Sequence, residues 1–314
     1  MHVMLHIGFL MDPLESIVVG HDSTFALMLE CQRRGFEVRE LHQRDVYFRG
    51  DRARARMRTV AVERVSGAHF RVLADKDCAL GELDVLFLRK DPPVDVEFLH
   101  ATQLVELKGP RVLINEPGGL RAANEKLFSL RFPDLIPPTL IARDAGLLRA
   151  FLDEQGGDAV AKPIDGFGGA GIFRVRHGDA NLSSILETAT AGGTRKVVLQ
   201  RYLPEVAAGD KRIIVLDGEP IGALNRVPQQ GDLRANMAAG GKAERGEITA
   251  RDRAICRALK PELRRLGLAF VGLDVIGEWL TEVNVTSPTG LVEIGAFSGT
   301  PLEARIVDHA VARA

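Results

Sequence analysis

A lysine followed by a run of glycines is the first feature with chemical meaning. Residues 159–175, AVAKPIDGFGGAGIFRV, place Lys162 just before a G-x-G-x-x-G pattern. The pattern is formed by Gly166, Gly168 and Gly171, and Gly169 lies inside it. In a dinucleotide-binding turn such glycines open a helix, but residues 172–176 alternate apolar and charged side chains, which predicts a strand. We therefore expect a loop between two strands whose backbone N–H groups can bind phosphate; a hairpin tip without a ligand is the alternative.

A predicted hairpin near the end of the chain carries the second signal. Residues 270–290, FVGLDVIGEWLTEVNVTSPTG, include the polar residues Asp274, Glu282 and Asn284. Glu282 and Asn284 lie two positions apart and therefore share a face of their strand. Asp274 joins them only if the turn has an odd number of residues, such as 277–279; an even turn places it on the opposite face. Three oxygen donors on one surface suit Mg²⁺, and the alternative is the solvated face of an edge hairpin.

Several cationic residues add to these two signals. They lie in different predicted elements and are Arg89, Lys126, Arg212 and Arg226. Guanidinium groups match carboxylates and phosphates, although any single one is more often a surface charge. Cations, a glycine loop and an acidic surface together are what phosphoryl transfer requires, because charge on the transferred group must be offset.

The overall composition narrows the class of protein. The chain has 314 residues, a formal net charge of −1 and 5% aromatic residues. A nearly neutral chain with few aromatic residues argues against nucleic-acid and membrane partners. The three cysteines, Cys31, Cys78 and Cys256, are widely separated, and the first residues do not match a signal peptide. We therefore expect a cytoplasmic protein with reduced thiols.

The order of the predicted elements indicates what positions these residues. In the first third, strands at 37–41, 84–88 and 111–114 alternate with helix patterns, which predicts an α/β domain with an open parallel sheet. Residues 49–58 are rich in arginine and are predicted to form a solvated helix or loop. The rest of the chain mixes helices, among them 124–132, with antiparallel hairpins, which predicts an α+β region.

Taken in order, the motifs resemble those of the bacterial glutathione synthetases, a family of the ATP-grasp superfamily. The matching segments include LRKDPP, NEKLF, AKPIDGFGGAGIFRV, LQRYLPE, GDKRI, ANMAAGGK and FVGLDVIGEWLTEVNVTSPTG. They span nearly the whole chain at spacings close to those of the family. The resemblance implies an N-terminal α/β domain at 1–122 and a two-part α+β ATP-grasp domain, with a central part at 123–201 and a C-terminal part at 202–314.

The resemblance also implies residue roles on the ATP side. The implied phosphate contacts are Lys126, Lys162, Gly166, Gly168 and Gly169. The implied hinge, which meets adenine through its backbone, is formed by Gln200, Arg201, Tyr202 and Leu203, with Asp210 near the nucleoside. The implied ligands of Mg²⁺, with Mn²⁺ as an alternative, are Asp274, Glu282 and Asn284. Arg212 and Lys162 are the implied catalytic cations.

On the other side of the implied site lie a peptide donor and an amino-acid acceptor. Their implied contacts are Arg89, Arg226, Asn284, Ser287, Thr289 and Gly290. Residues 226–242, which overlap a stretch without periodicity at 228–247, would form a lid that shields the intermediate from water. The implied reaction joins γ-glutamylcysteine and glycine through an acyl phosphate, giving glutathione, ADP and phosphate, and the implied assembly is a homotetramer.

Three departures from the family pattern leave alternatives open. The lid carries GGKAERGE where a second Arg-Gly is usual, Val292 stands where an arginine is expected, and the strand before Arg226 is one residue short. All three lie on the acceptor and lid side, so another ATP-grasp carboxylate–amine ligase is an alternative. An ATP-binding regulatory module is disfavoured by the intact lysines and metal-ligand residues, and a nicotinamide oxidoreductase by the missing helix after Gly171.

Overall fold

Three β-sheets form the framework of the protein. The computed structural model describes residues 4–232 and 234–314. The sheets have seven, four and five strands, and each is formed by a continuous stretch of the chain. Within the described residues, no helix combines the length and the apolar character that crossing a membrane requires.

The first sheet has a parallel centre and an antiparallel extension. Its strands are β1 (His6–Met11), β2 (Glu37–Leu41), β3 (Val46–Arg49), β4 (Arg52–Val62), β5 (Phe70–Ala79), β6 (Val85–Arg89) and β7 (Val112–Ile114). Its helices are α1 (Ser23–Arg33), α2 (Val96–Val105) and α3 (Pro117–Ala122). Strands β2, β1, β6 and β7 run parallel in this spatial order. Strand β6 is buried along its whole length, as expected for a parallel strand covered on both faces, and the predicted α/β domain is confirmed.

The prediction for residues 49–58 is wrong, because most of this segment belongs to strand β4. This strand pairs antiparallel with β2, β3 and β5. Its residues alternate at period two, so that Ala53, Ala55 and Met57 are buried, while the arginines between them form ion pairs outside the core. Alanine is a weak hydrophobic signal, and the arginine content hides the alternation in the sequence.

The second sheet is antiparallel and carries the glycine loop. Its strands are β8 (Thr139–Ala142), β9 (Asp158–Pro163), β10 (Phe173–Arg176) and β11 (Val197–Arg201), in the spatial order β10-β9-β11-β8. Its helices are α4 (Ala145–Glu154) and α5 (Leu182–Ala189), which pack buried leucines against the sheet. Strands β9 and β10 are antiparallel neighbours, so the glycines connect two strands, as predicted.

The third sheet carries the acidic hairpin. Its strands are β12 (Asp210–Leu216), β13 (Glu219–Val227), β14 (Lys242–Arg245), β15 (Phe270–Ile276) and β16 (Trp279–Asn284), in the spatial order β14-β13-β12-β15-β16. Its helices are α6 (Ala250–Arg265), α7 (Leu291–Ser298) and α8 (Leu302–Val311). All neighbouring strands are antiparallel, which confirms the predicted α+β character. The long stretch that follows β13, predicted as a loop up to residue 247, contains strand β14.

The segment 124–132, predicted as a helix, is instead a turn that leads into a short 3-10 helix at Phe128–Arg131. Asn124 Oδ1 accepts hydrogen bonds from the backbone N–H groups of Lys126 and Leu127, both at 3.1 Å. Such side-chain bonds to the local backbone stabilise a turn in competition with a helix. The turn directs Lys126 toward the third sheet.

Candidate active site

A cavity of about 500 Å³ lies between the second and third sheets. It is lined by most of the residues that the sequence singles out, which are Lys126, Lys162, Gly166, Gly168, Gly169, Gln200, Arg201, Tyr202, Leu203, Asp210, Arg212, Arg226, Asp274, Glu282, Asn284, Ser287 and Thr289. Ligand cavities of this volume accept molecules of nucleotide size. The three separate signals of the sequence, the glycine loop, the acidic hairpin and the cations, therefore meet at one place.

The acidic hairpin brings its oxygen donors together through a combination that the sequence did not predict. The turn between β15 and β16 has two residues, Gly277 and Glu278. An even turn by itself would place Asp274 and Glu282 on opposite faces. A β-bulge then shifts the register by one residue, so that Asp274 pairs directly with Glu282, and Asn284 follows on the same face.

Two arginines and two aspartates form a cluster of buried ion pairs beside the hairpin, here called the arginine–aspartate cluster. Arg212 Nε lies 2.5 Å from Asp274 Oδ1, and its Nη2 lies 3.0 Å from Asp274 Oδ2. Arg226 Nη2 lies 2.7 Å from Asp210 Oδ2 and 3.0 Å from Asp274 Oδ1. Burial alone would raise the pKa of the Asp274 carboxyl, but the two guanidinium groups outweigh burial and hold that pKa below its ordinary value.

Lys126 connects the acidic hairpin with the glycine loop. Its Nζ lies 2.9 Å from Glu282 Oε1 and also donates a hydrogen bond to the Gly166 carbonyl oxygen. The lysine is therefore placed between a carboxylate on one side of the cavity and the phosphate-binding loop expected on the other.

Glu125, which the sequence analysis did not single out, holds the end of strand β16. Its Oε1 accepts hydrogen bonds from the backbone N–H groups of Val285 at 3.1 Å and Thr286 at 3.2 Å. Its backbone oxygen accepts a further bond from the Val283 N–H at 3.0 Å. Burial, together with the charge of Glu282, raises the pKa of the Glu125 carboxyl. Glu125 thus fixes the backbone on both sides of Asn284, before it through its backbone oxygen and after it through its side chain.

Lys162 has a neutral partner instead of a carboxylate. Its Nζ donates a hydrogen bond to Gln200 Oε1 at 2.9 Å, and it forms no ion pair with any residue that the structure describes. Burial lowers the pKa of Lys162, although the negative charges of the nearby carboxylates act in the opposite direction. Its positive charge is therefore available to an anionic ligand.

The glycine loop and the predicted lid approach each other over the cavity. Gly168 and Gly169 have φ values of +61° and +81°, a region that favours glycine. A Cβ on Gly169 would lie 2.7 Å from Asn236 Oδ1 and 3.1 Å from Arg234 Cδ, so the lid can approach only a residue without a side chain. Within the predicted lid, 226–242, residue 233 lies outside the described residues.

Two of the predicted substrate contacts, Arg89 and Gly290, lie outside this cavity. Arg89 Nε donates to Thr24 Oγ1 at 3.0 Å, and its Nη2 donates to the Pro288 carbonyl oxygen at 2.9 Å. It borders a smaller neighbouring cavity of about 230 Å³. Gly290 has a φ of +114°, and a Cβ there would lie 2.8 Å from Leu224 Cδ2. Both residues shape the loop that carries Ser287 and Thr289.

The donor groups of the hairpin fit a divalent cation. Asp274 and Glu282 present carboxylate oxygens, and the Asn284 Nδ2 donates to the Gly272 carbonyl oxygen at 3.4 Å, which leaves the amide oxygen for another partner. In the structure, cationic side chains balance both carboxylates. Oxygen donors on adjacent strands are the ligands that hard cations prefer.

Other side chains at the cavity were missed in the sequence. Glu125 lies in the segment NEKLF and Asp91 in LRKDPP, so membership of a matched motif was a usable signal for both. His21 also lines the cavity, and its Nδ1 lies 2.7 Å from Glu293 Oε1. Nothing in the local sequence marks this histidine.

Comparison with protein-family models decides the relationship of the chain. Residues 5–121 match the prokaryotic glutathione synthetase N-terminal domain, and residues 125–299 match the prokaryotic glutathione synthetase ATP-grasp domain. The chain belongs to the prokaryotic glutathione synthetase family. Members of the ATP-grasp superfamily are ligases that use ATP with a divalent metal ion.

Individual relatives agree with this family along the whole chain. A glutathione synthetase of Escherichia coli (strain K12) is 45% identical over 313 residues, which cover 99% of both chains. A glutathione synthetase of Pseudomonas syringae pv. tomato is 46% identical over 307 residues, which cover 97% of this chain and 96% of the relative. The similarity is therefore not restricted to the ATP-binding part.

Solved structures show the same fold at much lower sequence identity. The D-cycloserine synthetase DcsG has a TM-score of 0.67 at 17% identity and covers 96% of this chain and 99% of its own. The D-alanine–D-alanine ligase of Bacillus anthracis has a TM-score of 0.61 at 14% identity, with coverages of 99% and 97%. At such identities the likeness concerns the ATP-grasp fold alone, and the expected fold is confirmed.

Proposed function

We propose that the protein joins γ-glutamylcysteine and glycine in an ATP-dependent reaction that gives glutathione, ADP and phosphate. The observation that carries the proposal is the 45% identity to glutathione synthetases over 99% of the chain. The geometry of the site agrees with it, because a cavity of nucleotide size is lined by a glycine loop, two lysines, the two arginines of the arginine–aspartate cluster and the carboxylates of the hairpin.

In this proposal the second sheet binds ATP. Lys126, Lys162 and the glycine loop contact the phosphates, and the backbone of 200–203 at the end of β11 meets the adenine, with Asp210 near the nucleoside. Asp274, Glu282 and Asn284 hold Mg²⁺, or Mn²⁺ in its place. The metal ion would supply positive charge beside the phosphate oxygens.

The reaction proceeds in two steps. The cysteinyl carboxylate of γ-glutamylcysteine attacks the terminal phosphorus of ATP, which forms an acyl phosphate and releases ADP. The amine of glycine then attacks the acyl carbon, and phosphate leaves. Arg212 and Lys162 offset the charge that develops on the transferred group, which lowers the barrier through electrostatic stabilisation. No covalent bond to the protein is needed.

The substrates occupy the end of the cavity near the loop 287–290. Arg226, Asn284, Ser287 and Thr289 contact them, while Arg89 and Gly290 hold the loop from outside the cavity. The lid at 226–242 excludes water, since the acyl phosphate would otherwise be hydrolysed.

The decisive experiment is phosphate release by the purified protein with ATP and Mg²⁺, with and without γ-glutamylcysteine and glycine, and with the product identified by mass. We expect release that requires both substrates, and a product with the mass of glutathione. Release with another donor or acceptor, but not with this pair, would support the alternative, a related carboxylate–amine ligase. The sequence departures in the lid and at Val292 favour that alternative, although Val292 lies on α7 and lines neither cavity.

The proposal extends to the organisation of the protein. We propose three units at 1–122, 123–201 and 202–314, supported by the three sheets that form within these ranges. By family resemblance we also propose a cytoplasmic homotetramer without nucleic-acid or membrane partners. Light scattering after size-exclusion chromatography would test the assembly, and a mass equal to one chain would contradict it.

A further inference from the structure

A row of hydrogen bonds crosses three strands of the second sheet and ends at Lys162. Thr139 on β8 lies directly opposite Gln200 on β11. Lys162 on β9 lies opposite Val198, two residues along β11 from Gln200. Directly opposite and diagonal positions of this kind share one face of a sheet, so the three polar side chains can meet. Lys162 Nζ donates to Gln200 Oε1, and Gln200 Nε2 donates to Thr139 Oγ1, both at 2.9 Å.

The far end of this row fixes the orientation of the Gln200 amide. Thr139 Oγ1 donates its single hydroxyl proton to the Pro137 carbonyl oxygen at 2.7 Å, so toward Gln200 it can only accept. The amide must therefore turn its N–H group to Thr139 and its oxygen to Lys162. Gln200 is only 5% exposed, which limits competition from water.

We infer that Thr139 and Gln200 are positioning residues that orient the Lys162 ammonium group into the cavity through a neutral partner, so that no carboxylate pairs with it in place of the ligand phosphates. This inference rests on the proposed function, in which the cavity binds ATP. It assigns the side chain of Gln200 a role separate from the adenine contact proposed for its backbone.

The partner of Lys162 is the neutral side chain of Gln200, and this decides how much of the lysine's charge a ligand can use. An ammonium group has three N–H donors, and the Gln200 oxygen uses one of them, which leaves two for a ligand. A carboxylate at position 200 would hold the lysine as firmly, but it would also offset its charge. Lys126 illustrates that second arrangement, because its Nζ lies 2.9 Å from Glu282 Oε1.

The test measures the affinity of the full-length protein for two ligands by calorimetry: the non-hydrolysable ATP analogue AMP-PNP with MgCl₂, and adenosine, which lacks phosphates. We expect Thr139→Val to weaken AMP-PNP binding about five- to tenfold, because the amide is free to turn its N–H group toward the lysine. Gln200→Glu should weaken it by roughly 100-fold through the added negative charge. Adenosine affinity should change less than about twofold in both variants, since the relevant contacts are to phosphate.

Two further variants separate positioning from a general structural role. Thr139→Ser retains the hydroxyl group and should restore AMP-PNP affinity to within about twofold of the wild type. In a Lys162→Met background, Thr139→Val should cause no additional loss, because the residue it positions is absent. Thermal unfolding of each variant shows whether it is folded.

The results that would overturn the inference are distinct. An equal loss of adenosine and AMP-PNP affinity in Thr139→Val would indicate disruption of the nucleotide pocket, and an additive loss in the Lys162→Met background would show that the threonine acts independently of the lysine. Wild-type protein that does not bind AMP-PNP would also contradict the inference. Wild-type protein that binds AMP-PNP but does not form glutathione would contradict the proposed function and leave the inference in place.

Discussion

The second and third sheets form opposite sides of the same cavity and hold their cations in different ways. On the third sheet, Arg212 and Arg226 lie 2.5 to 3.0 Å from carboxylate oxygens. On the second sheet, Lys162 lies 2.9 Å from the neutral oxygen of Gln200. Arg212 and Arg226 are buried and Lys162 is half-buried, and the larger difference between them is the charge of the partner.

The comparison indicates a division between cations whose charge a neighbouring carboxylate offsets and a cation whose charge is open to a ligand. In the arginine–aspartate cluster the charges offset one another, and removal of one member leaves the others buried and unpaired. Lys162 has no directly paired carboxylate among the described residues, which costs stability but favours an anionic ligand. Substitutions on each side of the cavity test this division.

Asp274→Ala should cause the largest loss of stability, because it removes the carboxylate that Arg212 and Arg226 share. Loss of one partner from a buried ion pair costs about 3–5 kcal/mol in the free energy of unfolding, which urea denaturation can measure. The matched control is Asp75→Ala, which breaks the exposed pair of Asp75 with Arg56 and should cost less than about 1 kcal/mol. Equal losses of unfolding free energy in the two variants would contradict a stabilising role of the arginine–aspartate cluster.

Lys162→Met should have little effect on stability and a large effect on ligand affinity. Its free energy of unfolding should change by less than about 1 kcal/mol, because a buried charge is lost together with only one hydrogen bond. Its affinity for AMP-PNP should fall roughly 10- to 100-fold, the equivalent of one charged hydrogen bond. Lys196→Met, at an exposed lysine, is the control and should change neither quantity. A large destabilisation with unchanged affinity would reverse the proposed division.

Glu125 shows that the hairpin is held by more than ion pairs. Glu125→Ala removes the acceptor for two backbone N–H groups and should cost about 1–3 kcal/mol in the free energy of unfolding. Glu125→Gln retains an acceptor oxygen and should cost less than about 1 kcal/mol. If the glutamine variant were as unstable as the alanine variant, the charge of Glu125 would be required, and its assigned role as a backbone acceptor would be wrong.

Gly169→Ala should affect the contact between the glycine loop and the lid. A side chain at a φ of +81° costs about 1 kcal/mol, and its Cβ would collide with Asn236. We expect faster proteolytic cleavage within 226–242 in the absence of nucleotide. Gly178→Ala carries a similar strain, with a φ of +75° and no atom within 4 Å of the new Cβ, and should leave the cleavage rate unchanged.

The smallest effect that we expect is a change of the unfolding free energy with pH, caused by Lys162. Because burial lowers the pKa of Lys162 below 10.5, the folded protein releases this proton at a lower pH than the unfolded chain does. Between the two pKa values the unfolded state binds more protons, so the contribution of Lys162 to stability rises with pH until about 10.5. The difference in unfolding free energy between wild type and Lys162→Met should rise accordingly in urea denaturation; a difference that falls over this range would contradict the sign.

Local patterns predicted some parts of the molecule well and others poorly. The strand–loop–strand unit around the glycines follows from period-two alternation within a few residues, and it was predicted correctly. The same alternation in β4 was missed because alanines occupy its buried positions. For segment 124–132, the Asn124 side chain stabilises a turn where helical spacing of apolar residues suggested a helix.

Residue types and short spacings were enough to predict the family, the glycine loop, the hairpin and most of the residues that line the cavity. How these residues pair could be seen only in the folded protein. A β-bulge placed Asp274 opposite Glu282, and strand register brought Thr139, Gln200 and Lys162 together on one face of a sheet. The partners in that row lie up to 61 residues apart in the chain, and such contacts depend on register and burial across strands, which no short segment of sequence specifies.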